Sequence, residues 1–95
     1  MMKVKIGDYI TETFSDYDIT YALKPAVIIA RVVTIDCKGE RVNCLGCIFW
    51  ETWDVFHIVD SPKYLTLFPR NTRRSTSNEI FRFTHEFAGH VCLLK

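Results

Sequence analysis

Three apolar stretches follow one another between residues 27 and 59, and they leave the chain few folds to choose from. The first, residues 27–36, is apolar on both alternating faces. Val27, Ile29, Val33 and Ile35 point one way, and Ile28, Ala30 and Val32 the other. That is the pattern of a central strand covered on both sides. Arg31 interrupts it, and a cation there must either snorkel or meet a carboxylate. Lys38 and Gly39 supply a left-handed turn into a second stretch, 41–50. That stretch sets Val42, Cys44, Ile48 and Trp50 against Leu45, Cys47 and Phe49. Gly46 inside it marks a bulge or a close backbone approach. After a short Glu51-Thr-Trp connection, residues 54–59 form the third, with Phe56 and Ile58 facing inward. Three adjacent antiparallel strands are the expected outcome.

The rest of the chain reads as additions to that sheet. Val4, Ile6 and Ile10 alternate with lysines as a half-buried first strand, interrupted by a bulge at Gly7-Asp8. The opening Val4-Lys5-Ile6-Gly7-Asp8 resembles the start of small SH3-like barrels over this short stretch alone, and the resemblance implies a fold and no activity. Ser15 followed by Asp16 and Asp18 has the form of a capped helix start, and Ile19, Ala22 and Leu23 share one helical face before Pro25. This predicts one short helix near residues 16–23, leaning on the sheet because isolated helices of that length are marginal. Asp60, Ser61 and Pro62 are expected to break the third strand, with residues 64–68 forming another. Residues 69–78 carry no large apolar side chain and read as a solvated, mobile loop. Phe81, Phe83 and Phe87 alternate with polar residues as a strand, although Ile80, Phe83 and Phe87 fit a helix almost as well. Val91 to Leu94 would pair or pack at the end. The fold class is mainly β, with α+β as the variant: a curved antiparallel sheet or SH3-like barrel of five to seven strands with one short helix, in a single domain over residues 1–95.

Composition narrows function by exclusion. No apolar run approaches the ~20 residues of a membrane helix, so no membrane partner is expected. The N-terminus carries charges where a secretory leader would be apolar, which places the chain in the cytoplasm with its four cysteines reduced. Cys44 and Cys47 have zinc-like spacing, but continuous strand would send them to opposite faces, and no second ligand pair completes a site. His85 and His90 stand five apart, whereas a zincin helix requires i and i+4. No phosphate loop or dinucleotide fingerprint is present. We therefore expect no enzyme, no catalytic residue, no metal and no cofactor.

Net charge is +1, but the charges are unevenly placed. Residues 8–18 hold four acids and no base; residues 63–82 hold five bases and one acid. Either the two segments face each other across the fold, or the basic one meets an anionic partner. Arg70, Arg73 and Arg74 with their polar neighbours form the clearest binding feature. Trp50 and Trp53 flank an acidic hairpin end, where burying both is difficult, and tryptophan and arginine are the residues that anchor protein interfaces. The expected function is a small intracellular protein-interaction module, monomer or homodimer. It would act as an accessory or inhibitory factor on a larger protein, in the manner of many phage and mobile-element products. Its partner-binding residues would be Trp50, Trp53, Arg70, Arg73 and Arg74. The alternative is a nucleic-acid-binding small β-barrel using the basic loop 69–78.

Overall fold

The computed structural model describes residues 3–17, 23–52 and 55–88. Among them, five antiparallel strands form one sheet: β1 (Tyr9–Tyr17), β2 (Leu23–Ile35), β3 (Val42–Thr52), β4 (Val55–Leu67) and β5 (Arg73–Arg74). A 3-10 turn (Pro69–Asn71) links β4 to β5, and helix α1 (Ser77–Ala88) follows. The spatial order is β4-β3-β2-β1-β5, so the strand that is apolar on both faces occupies the middle.

The sheet is not flat. Its outer strands β4 and β5 lie four strand spacings apart, about 19 Å across a flat sheet. The link from Leu67 to Arg73 contains a 3-10 turn and reaches only about 16 Å. The sheet must therefore curl to bring its ends together. It stays unclosed, with no pairing of β4 to β5.

Two clusters use the two faces of β2. On one face Val27, Ile29, Leu45, Cys47 and Phe49 pack under Phe83 of α1. On the other, Ala30, Val32, Ile10, Val42, Cys44 and Leu67 are buried, with Val4, Ile28 and Ile35 at their margin. Gly46 sits between them on β3, where an added Cβ would meet Ala30 Cβ and Leu65 Cδ1, both at 3.0 Å. Close strand approach is the reason for this glycine.

Local chemistry explains the entry to β1 and the β2–β3 turn. Gly7, at φ +93°, occupies the third position of a turn closed by Asp8 N–H donating to Lys5 O. That conformation suits glycine. Gly7 N–H donates to Val32 O, and Val32 N–H donates to Asp8 O, so two residues oppose one in a glycine-type bulge, as expected. The turn leaves Ile6 exposed instead of half-buried. Between β2 and β3, Asp36 Oδ1 accepts from the backbone N–H of Glu40 and Arg41, and Gly39 takes φ +71°.

Several expectations are corrected. Residues 16 and 17 belong to β1 and Leu23 to β2, paired as Asp16↔Lys24 and Tyr17↔Leu23. Ser15 is therefore not a helix cap; residues 18–22 of the predicted 16–23 helix lie outside the described residues. Pairing with the central strand satisfies this backbone better than a two-turn helix would. The helix is instead at Ser77–Ala88, where a strand was expected. Phe83 is buried while Phe81 is 65% exposed, which separates two side chains that strand alternation would put together. Asp60 to Pro62 does not end a strand, since β4 runs through it to Leu67. Register shifts opposite Gly46 and Ile48 absorb the irregularity, and proline is tolerated because β4 is an outer strand. The 91–94 segment lies outside the described residues.

Candidate partner-binding surface

The basic segment 69–78, expected to be a plain loop, contains the 3-10 turn, β5 and the start of α1, and its arginines are divided among separate tasks. Successive positions in β5 point Arg73 and Arg74 to opposite sides. Arg73 grips Glu79 of α1 with both guanidinium nitrogens, at 2.7 and 2.8 Å. Glu79 is only 5% exposed. Its carboxylate also accepts from Thr11 Oγ1 at 3.1 Å and from Thr76 N–H at 2.8 Å, while Thr11 and Ser75 hydroxyls bond each other at 2.8 Å. Burial alone would raise the Glu79 pKa. The bonds from Arg73 and Thr76, the charge of Arg73 and the bond from Thr11 outweigh it and hold the carboxyl below its ordinary value. Arg74 reaches Asp8 Oδ2 at 3.5 Å and Lys3 O at 3.3 Å. Of the two accounts of the charge asymmetry, internal complementarity is realised at this pair. Arg70 lies over the Phe68 ring at 5.4 Å and has no carboxylate partner among the described residues.

The remaining sequence candidates separate in space. Trp50 stands on β3 opposite Ala26 and His57, with only its backbone placement described. Trp53 lies outside the described residues, as do Cys92 and His90. Cys44 and Cys47 are buried on opposite faces of β3, as strand parity required, so the sheet prevents them from sharing one ion. Burial pushes the Cys44 thiol up to about 12. His85 is exposed on α1 and stacks on Phe81 at 6.2 Å.

Sequence reading missed a surface at the other end of the sheet. Helix α1 covers only part of its face, and two rows cross the sheet at and beyond its margin. One row runs Tyr9–Arg31–Leu45–Tyr64 by register. The other is a hydrogen-bonded row of exposed polar side chains: Asn43 Nδ2 donates to Thr34 Oγ1 at 3.0 Å, and Thr66 Oγ1 donates to Asn43 Oδ1 at 3.1 Å. Tyr64 is 68% exposed. A β2 irregularity between Val32 and Thr34 turns Val33 out to 40% exposure. Val33, Thr34, Asn43, Tyr64, Leu65 and Thr66 line a shallow cleft of about 370 Å³. The available signal was alternation itself, since Asn43 and Thr34 are polar positions within apolar strands. The bulge that aligns them has no signature in the residue order.

No known protein family, curated protein or solved structure matches the chain. Among the described residues no helix is long and apolar enough to cross a membrane.

Proposed function

We propose that the protein is a small intracellular protein-interaction module, an accessory or inhibitory factor that occupies a surface of a larger protein. The observation that carries this reading is the exposed Thr34–Asn43–Thr66 row beside Tyr64. Side chains already held by one another lose little freedom on binding, and an exposed tyrosine supplies contact area at small entropic cost. The strand arrangement is in keeping with an SH3-like module: a four-strand meander, a 3-10 turn, and a fifth strand returning to the first. The nucleic-acid alternative draws less support, because two of the three arginines of the basic segment, Arg73 and Arg74, already meet Glu79 and Asp8.

The test compares wild type with an Asn43→Ala/Tyr64→Ser double variant as baits in lysate from the native host, with nuclease-treated controls. One host protein should be enriched by wild type and depleted at least roughly tenfold with the variant, at an unchanged urea midpoint. Recovery that nuclease treatment abolishes would favour the alternative.

A further inference from the structure

Arg31 is the one charged residue in the apolar run of the central strand, and no described carboxylate pairs with it. Its side chain is exposed, and the described acids of the neighbouring segments are already engaged. Asp8 meets Arg74 and the Lys5 N–H; Asp36 accepts from the Glu40 and Arg41 backbone; Glu79 is held by Arg73. The guanidinium instead lies over the Tyr9 ring at 5.8 Å, and Tyr9 is fixed by an edge contact with Phe83 at 5.6 Å. It is thus a cation with a defined position, no counter-charge among the described residues, and a place beside the polar row.

We propose that this face binds an acidic segment of a partner protein, with Arg31 receiving a carboxylate while Tyr64 and the Thr34–Asn43–Thr66 row contact its flanks. The assignment rests on the protein-interaction reading and specifies the partner's chemistry. A guanidinium pairs with a carboxylate through parallel hydrogen bonds, and a cation without a counter-charge selects a partner by charge complementarity. Arg31 and Tyr64 flank Leu45, about 10 Å apart across the sheet. An extended segment spans that distance in about three residues. The fitting sequence therefore places Asp or Glu about three positions from an apolar or aromatic residue. The cleft itself is lined by uncharged residues, which favours such a mixed segment over a continuous run of acids.

The probe is a synthetic extended peptide with blocked ends, bearing Glu three residues from Phe, titrated into the isotope-labelled full chain. Its control replaces Glu by Gln. Chemical shifts should move at the Arg31 side-chain N–H, the Asn43 amide and Tyr64, and the affinity should fall roughly tenfold with the Gln peptide or with Arg31→Gln. Arg31→Lys should recover part of the loss, and Arg70→Gln should change nothing. Unchanged urea midpoints would confirm that the variants fold. Shifts spread evenly over all exposed cations would overturn the assignment. So would oligothymidylate binding more tightly than the peptide through Arg31, or Arg31-dependent self-association, which would make a second copy the occupant. A host protein retained equally by wild type and Arg31→Gln would leave the interaction reading standing and remove this assignment alone.

Discussion

Glu79 receives donors from three directions: Arg73 on β5, Thr11 on β1 and the backbone of its own helix start. Its folded-state pKa lies below the ordinary value near 4.5, so the unfolded chain takes up the proton more readily. The stability this gives is present above that ordinary value and is lost as pH falls through the folded-state one. Urea midpoints measured from neutral pH into the acid range should therefore drop for wild type. In Glu79→Gln the drop should be smaller, and the variant should be less stable at neutral pH by about 1–3 kcal/mol, the range for disturbing a buried, satisfied polar group. A wild-type profile parallel to that of Glu79→Gln would show that this carboxylate does not set the acid response.

At the scale of elements, what was legible depended on whether the deciding interactions were local. Strand parity separated Cys44 from Cys47, and the double-sided run at 27–36 identified the central strand, because alternation and burial are written in neighbouring residues. The 77–88 helix was legible in principle. Thr76 and Glu79 form a reciprocal cap, with Glu79 N–H donating to Thr76 Oγ1 at 3.2 Å and Thr76 N–H to the Glu79 carboxylate. That is the Thr-x-x-Glu signature of a helix start, which three aromatics at alternate spacing obscured. The 16–23 segment shows the opposite failure. A capping pattern was present locally, but pairing with β2 decided the conformation of residues 16 and 17. The Arg31 and Asn43 surface lay furthest from sequence reading, because three strands and a bulge had to be assembled to create it. Thr76→Ala should cost about 1 kcal/mol and lower the amide protection of the first turn of α1 before that of the strands. Equal protection loss throughout would mean that the cap and the sheet form one cooperative unit.

Among the described residues the core is two apolar clusters that share the two strands β2 and β3. Val27 and Ile29 belong to the cluster under α1, Ala30 and Val32 to the cluster on the opposite face, and both sets are carried by β2. Neither cluster can lose its β2 contribution without disturbing the other. The three cysteines among the described residues report on this directly, one inside each cluster and one exposed at Cys37. Cys37 is exposed and should be alkylated promptly, whereas burial shields Cys44 and by the same desolvation pushes its thiol pKa up to about 12. Pulsed alkylation with peptide mapping, each site normalised to its rate in the denatured chain, should give Cys44 and Cys47 a common opening free energy with a common dependence on urea. Cys47 labelling well ahead of Cys44 would show that α1 lifts from its face while the other cluster stays closed, and the shared strands would then not couple the two halves of the core.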